Sequence, residues 1–353
     1  MRRGGAARAK WLRALAADIA TLHAAGTEIV LVSSGAVALG RNRTGLGHGK
    51  LSLEEKQAAA AAGQPLLINA WAQALEKYDI HVAQLLLTLE DSERRNRYLN
   101  ARATFTTLLK HKLIPIVNEN DTVATAELKF GDNDRLAARV AVMIGADTLI
   151  LFSDIDGLYT KNPSIHKDAT HLPRVDKMTA AIMAMGGDAA SGLSSGGMRT
   201  KLEAAQMAMA AGCNMVIARG DAQHPLKELI DGGRATWFMA GTKPQLARKH
   251  WIASSVLARG AVIIDEGAAG ALAKGKSLLP AGVKRIEGSF ERGDTIAVKD
   301  LHGAILARGI AGYDSAEAKQ ILGQKTSQIE AILGYAGRDT LIHRDDLAMV
   351  GVE

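Results

Sequence analysis

The sequence predicts an α/β protein: an open, mainly parallel sheet sandwiched by helices, followed by a smaller β-rich domain. Three observations carry that expectation. Over the first 255 residues, short apolar runs alternate with Ala-rich helical stretches. The apolar runs end in glycine, serine, asparagine or aspartate. After about residue 255, short strands follow one another across glycine-containing turns.

In chain order, Trp11, Leu12, Leu15, Ile19 and Leu22 recur at helical spacing, and Gly26 stops that segment. Glu28-Ile29-Val30-Leu31-Val32 is a strand ended by Ser33-Ser34-Gly35. Val82–Leu87 is a second strand, and Ile114–Val117 a third that runs into Asn118-Glu119-Asn120-Asp121. Thr148–Phe152 ends in Ser153-Asp154, and Met215–Ala218 ends in Arg219-Gly220. Helical stretches at 54–77, 133–145 and 198–212 fill the gaps, which is the grammar of a parallel sheet covered on both faces. Ligands of such sheets sit beyond the carboxyl ends of the strands. Ala261–Ile264, Gly282–Ile286, Thr295–Val298 and Ala304–Gly309 then read as strands of the second domain. The expected division is 1–255 and 256–353.

At 353 residues, 47% hydrophobic and 23% charged, the chain has the composition of an ordinary globular protein with room for two cores. No stretch approaches the roughly 18 apolar residues of a membrane span, so no membrane partner is expected. The single cysteine, Cys213, cannot form an intrachain disulfide; it sits beside a core strand and reads as a small buried apolar residue, with the cytoplasm the expected compartment. The net charge of +6 invites a nucleic-acid reading. Its distribution does not favour one. Residues 256–353 carry 12 Lys and Arg against 13 Asp and Glu, leaving 31 against 24 upstream. The positive excess therefore lies in the first domain, where it serves anionic small molecules equally well.

Two loops there are dense in amides and acids: Asn118-Glu119-Asn120-Asp121 and Gly131-Asp132-Asn133-Asp134, the second opening a helix. Amides and helix N-terminal N–H groups bind a carboxylate, and an ammonium group needs carboxylate acceptors; a free amino acid demands both. The bland alternative is that these residues supply turns and an N-cap. A glycine-rich loop, Gly192–Lys201, leads into another helix and places Lys201 one turn inside it, where its charge can reach a transferring phosphoryl group. Ser153-Asp154 and Asp156–Tyr159 follow a buried strand and suit a nucleotide. Gly270-Ala271-Leu272-Ala273-Lys274-Gly275-Lys276-Ser277 matches the P-loop pattern literally, but its helix-like stretch precedes the loop, so the order that the mechanism needs is inverted. The histidines and the cysteine show no metal-ligand spacing, and no metal site of the protein's own is expected.

These segments together resemble the amino-acid kinase family, through Val32-Ser33-Ser34-Gly35-Ala36, Asn118–Asp121, Gly131–Asp134, Leu151–Asp154 and Ser195–Lys201. The resemblance implies an ATP- and Mg²⁺-dependent phosphorylation of the side-chain carboxylate of glutamate, the opening step of proline biosynthesis, by a homo-oligomer. By position it implies that Ser34, Asp121 and Asn133 bind glutamate. Ser153 and Asp154, with Ser195, Gly196, Gly197, Met198, Arg199, Thr200 and Lys201, match ATP-binding positions. Lys201 looks like the residue that stabilises the moving phosphoryl group, and Asp134 like an organiser of catalytic lysines. The substrate supplies its own nucleophile, so catalysis reduces to positioning and charge neutralisation.

The tail from about 261 resembles a PUA domain through Val262–Gly267, Ser277–Gly282 and His343–Asp346. Such domains bind RNA elsewhere, but the charge balance here gives that partner little support. Family members begin with a strand carrying a lysine and a phosphate loop. These residues start at Met1-Arg2-Arg3-Gly4-Gly5, already near the first helix, so the expectation is an N-terminally truncated kinase domain. Two alternatives stay open from the residues alone: a related kinase acting on N-acetylglutamate, aspartate or a carbamate, and an RNA-binding regulatory protein built on an inactive kinase.

Overall fold

The computed structural model describes residues 9–46, 49–123, 133–187, 197–254 and 258–350. It divides into two compact units, Met1–Gly241 and Thr242–Glu353. In the first unit the order is α1 (Ala9–Ala24), β1 (Leu31–Val32), α2 (Ala36–Gly40), α3 (Leu53–Glu76), β2 (Val82–Leu87), α4 (Leu89–Glu93), α5 (Arg95–Lys110), β3 (Ile114–Glu119), α6 (Asn133–Ile144) and β4 (Thr148–Ser153). There follow β5 (Leu158–Tyr159), β6 (His171–Leu172), β7 (Arg174–Val175), α7 (Ala180–Ala184), α8 (Met198–Ala210), β8 (Asn214–Arg219), α9 (Pro225–Ile230) and β9 (Ala235–Phe238).

The described strands form a parallel three-stranded sheet, β1-β3-β2, and a four-stranded sheet, β4-β8-β9-β7. β4 and β8 pair in parallel from Thr148↔Asn214 to Ser153↔Arg219, and β9 runs antiparallel to β8. The period-2 alternation of each strand explains why helices cover both faces. In β8, Met215 and Ile217 join Ala138 of α6 and Leu202 and Ala205 of α8 in one core. Val216 and Ala218 face the other way and pack with Leu229 of α9. In β3, Ile114 and Ile116 pack with Leu15 of α1 and Leu67 of α3, whereas Val117 packs with Phe105 of α5 and Met143 of α6. Cys213 is buried in the α8 core, where loss of hydration pushes its thiol up to about 12.

The helices have local reasons to start where they do. Ser52 and Glu55 form a reciprocal capping box at α3, with Ser52 N donating to Glu55 Oε2 at 2.8 Å and Glu55 N to Ser52 Oγ at 3.2 Å. The buried Asp18 of α1 caps α9 from outside, accepting from Lys227 N at 3.2 Å and bonding His224 Nδ1 at 2.8 Å. α2 and α3 approach so closely that a Cβ at Gly63 would lie 1.8 Å from the Ala36 carbonyl oxygen, and one at Gly40 the same distance from that of Ala59. Only glycine permits that crossing.

The second unit comprises α10 (Pro244–Ser254), β10 (Gly260–Ile264), α11 (Glu266–Ala273), β11 (Val283–Gly288), β12 (Thr295–Lys299), β13 (Ile305–Ile310), α12 (Ser315–Gln320), α13 (Ile329–Leu333) and β14 (Leu347–Met349). Its sheet has the order β11-β10-β12-β13-β14. Val262 and Ile264 of β10 alternate with their neighbours and meet Ile296 and Val298 of β12, Tyr313, Leu341 and Ile342 in a single core. The texture change in sequence lies near 255, while the compact units separate at Gly241. α10 accounts for the interval: it packs on β13 and β14, and its Arg248 is tied to Asp346. No helix among the described residues is long and apolar enough to cross a membrane.

Two expected elements differ in detail. The first strand, expected over Glu28–Val32, pairs only at Leu31–Val32. The antiparallel β9 and the short pairs β5–β6 and β7–β9 lie in stretches whose apolar runs are too brief to distinguish from loops.

Candidate functional site

The polar residues that end the parallel strands collect on one rim because the strands end in register. Val32 pairs with Val117, and Ser33 N extends the pairing to the Val117 carbonyl at 2.9 Å. Leu87 pairs with Glu119, and Asn120 N reaches the Leu87 carbonyl at 2.9 Å. The chain then turns. On the β1 side the turn is made by Gly35, whose φ of 115° a side chain would oppose. It leaves Ser34 exposed immediately before α2. On the β3 side Thr122 Oγ1 donates to Asn120 Oδ1 at 2.7 Å, and Asp121 turns inward.

Asp121 is 8% exposed, and its carboxylate has no hydrogen-bond or ion-pair partner among the described residues. Burial alone pushes its carboxyl up to about 6. A carboxylate taken from water without a partner carries a desolvation cost that a cation arriving from solution can offset. Beside it, the buried Asn118 accepts at Oδ1 from Asn133 Nδ2 at 3.4 Å. That bond fixes the first residue of α6 against the end of β3.

The next residue begins a second group. Asp134, in the first turn of α6, accepts at Oδ2 from Lys201 Nζ at 2.7 Å and from Thr200 Oγ1 at 3.2 Å. Lys201 and Thr200 lie in the first turn of α8, capped at Gly197, so two helix N-termini face one another across this pair. Lys201 is 8% exposed, so its ammonium needs such a partner. Farther out, Glu203 joins the two helices by accepting from Arg135 Nε at 3.0 Å and from Arg199 Nε at 3.3 Å. The hydrogen bond from Arg135 holds its carboxyl below the usual range. Buried ion pairs are weak stabilisers. Positive helix ends around a lysine make a better anion site than a structural brace.

The predicted residues are therefore gathered in part. Asp121 and Asn133 stand on the β3–α6 junction, joined through Asn118, and Ser34 lies on the neighbouring turn. Asp134, Thr200 and Lys201 are bonded directly. Ser153 and Asp154 sit at the end of β4, with Ser153 Oγ donating to Asp154 Oδ1 at 3.1 Å, and Gly220 N closing on the Ser153 carbonyl at 2.7 Å. Among the described residues no hydrogen bond joins them to Lys201. Gly197 and Met198 open α8, and Arg199 is engaged with Glu203. Ser195 and Gly196, like Gly131 and Asp132, lie outside the described residues. The P-loop look-alike is inverted in space as in sequence: its first four residues end α11 where a strand should lead in, and Lys276 is exposed.

Sequence reasoning gave Asn118 no role of its own and passed over Ser33, Gln64 and Trp71. Trp71 Nε1 donates to Ser33 Oγ at 3.0 Å, and Gln64 Nε2 to the Glu119 carbonyl at 3.3 Å. The only sequence signal for Gln64 is an amide among apolar neighbours in an Ala-rich helix.

The sequence signature of the amino acid kinase family matches residues 3–219, and that of the PUA domain residues 260–333. The glutamate 5-kinase of Paramagnetospirillum magneticum is 56% identical over 347 residues, covering 98% of this chain and 94% of that protein. Glutamate 5-kinase 1 of Rhizobium meliloti is 57% identical over 339 residues, 96% of this chain and 86% of that protein. The glutamate 5-kinase of Dinoroseobacter shibae is 54% identical over 345 residues, 98% and 94% respectively.

Proposed function

The chain belongs to the amino acid kinase family, and we propose that it uses ATP to phosphorylate the side-chain carboxylate of L-glutamate, the committed chemistry of proline synthesis. The observation that carries this reading is the buried Asp121 carboxylate, without a partner among the described residues and one short turn from the Asn118–Asn133 amide pair, in a chain akin to glutamate 5-kinases. Glutamate brings one ammonium and two carboxylates. Asp121 accepts from the ammonium. Asn133 and the Ser34 hydroxyl donate to carboxylate oxygens, and the α6 N-terminus adds its positive end.

In the reaction an oxygen of the side-chain carboxylate attacks the γ-phosphorus of ATP. The bond to the β–γ bridging oxygen breaks, and ADP leaves with that electron pair, giving an acyl phosphate. The nucleophile is already an anion, so no base is required. Lys201 meets the transferring phosphoryl oxygens, while Asp134, itself bonded by the Thr200 hydroxyl, holds its ammonium in place beforehand. Ser153 and Asp154 at the end of β4, with the loop through Ser195, Gly196, Gly197, Met198, Arg199 and Thr200, are assigned to ATP. Mg²⁺ supplies charge neutralisation on the phosphates.

ADP release measured with glutamate, aspartate, N-acetylglutamate and carbamate in turn tests the reading. Release should depend on glutamate. Dependence on one of the other three, with none on glutamate, would overturn it.

A further inference from the structure

α3 supplies none of the groups assigned to substrate, yet one stripe of it holds both substrate loops. Gln64 is 6% exposed in the middle of the helix. Its Nε2 donates to the Glu119 carbonyl at 3.3 Å, and its Oε1 accepts from Gln84 Nε2 at 3.1 Å. The amide can face only one way, because a carbonyl oxygen accepts and never donates. Two turns along, at i+7 and hence on the same side of the helix, Trp71 donates to Ser33 Oγ. Glu119 is two residues before Asp121, and Ser33 immediately precedes Ser34. The Gly63 contact with Ala36, next to Gln64 on the chain, seats the start of α2 against the same stretch of helix.

A buried amide is costly unless it is bonded. Leucine would fill this site, among the apolar neighbours Leu67 and Trp71, without that cost. What leucine cannot do is hold a strand-end carbonyl. We propose that Gln64 is a positioning residue for the amino-acid substrate: through the Glu119 carbonyl it fixes where β3 ends, and so where the Asp121 carboxylate stands. The inference rests on the assignment of Asp121 to the substrate ammonium. Trp71 does the same for the Ser33-Ser34 turn.

The test is steady-state kinetics of Gln64→Leu, with glutamate and ATP varied separately and the melting midpoint measured in parallel. One lost hydrogen bond in the substrate framework should raise the glutamate KM about three- to tenfold, with the ATP KM and the midpoint near their wild-type values. In an Asp121→Asn background the increment should shrink, because the group being positioned has already been altered. Gln84→Ala, at an exposed position, frees one side of Gln64 and should shift the glutamate KM in the same direction by less; it serves if Gln64→Leu does not fold. An unchanged glutamate KM would overturn the proposal. So would glutamate and ATP KM values that rise together as the midpoint falls, since that marks a packing role alone, and so would an increment undiminished in the double variant. If Asp121→Asn itself leaves the glutamate KM unmoved, the substrate assignment fails, and the proposal with it.

Discussion

In the second unit the buried Asp346 accepts from Arg248 at both Nε, 3.0 Å away, and Nη2, 2.7 Å away. In the first unit the equally buried Asp121 accepts from nothing described. The two carboxylates are 5% and 8% exposed, so burial does not separate them; partnership does. Asp346 ties α10 to the chain just before β14, a structural task that is complete in the folded chain. Asp121 stands at a strand end with no such partner among the described residues. Elsewhere in the first unit, Asn118, Lys201 and Gln64 are buried at or beside strand and helix ends, each bonded to a neighbour. An unpaired buried charge is evidence of a ligand in a way that a paired one is not.

The largest effect should come from breaking the completed pair. Arg248→Ala strips the buried Asp346 of its guanidinium partner, and should cost about 3–5 kcal/mol of stability. Chemical denaturation would show this as a lower midpoint for the second unit, with the glutamate and ATP KM values of the folded protein unchanged. A change in either KM without loss of stability would erase the distinction drawn here.

Lys201→Ala should act the opposite way. Turnover should fall by a factor on the order of 10²–10³, as when one donor to a developing anion is removed, while nucleotide affinity measured by titration changes far less. Equal losses in turnover and nucleotide affinity would make Lys201 a ground-state binding residue.

A smaller effect follows from the Asp121 carboxyl, which burial pushes up to about 6, against roughly 3.9 for a free aspartate. The native protein then keeps a proton that the unfolded chain has lost, so stability declines as pH rises from about 4 to 6 and is flat beyond. Asp121→Asn removes that penalty. Its melting midpoint should exceed that of the wild type by several degrees at pH 7, and the gap should close below pH 4. A gap that widens toward acid would mean that the carboxylate is stabilised when charged.

Much of this was legible in the sequence. The strands ending in Glu119, Ser153 and Arg219 announce themselves as apolar runs stopped by polar residues, and α3, α6 and α8 fall close to their Ala-rich stretches. Spacing alone does not link Lys201 and Asp134, because 67 residues separate them and no rule joins the first turns of two helices; only the family resemblance pointed from Asp134 to the catalytic lysines. Gln64 stayed hidden for a related reason: its purpose is a backbone carbonyl 55 residues away, and carbonyls leave no trace in a sequence. The Gly40–Gly63 crossing is likewise a property of two helices meeting, visible in neither helix alone.

The claim that Asp121 waits for an ammonium group is tested most directly by comparing glutamate with glutarate, which carries the same two carboxylates and no amino group. Calorimetric titration of the wild-type protein should show glutamate binding about tenfold or more tighter, the worth of one charge-assisted contact. In Asp121→Asn that preference should collapse toward equality, through loss of glutamate affinity. A preference that survives the substitution intact would contradict the account.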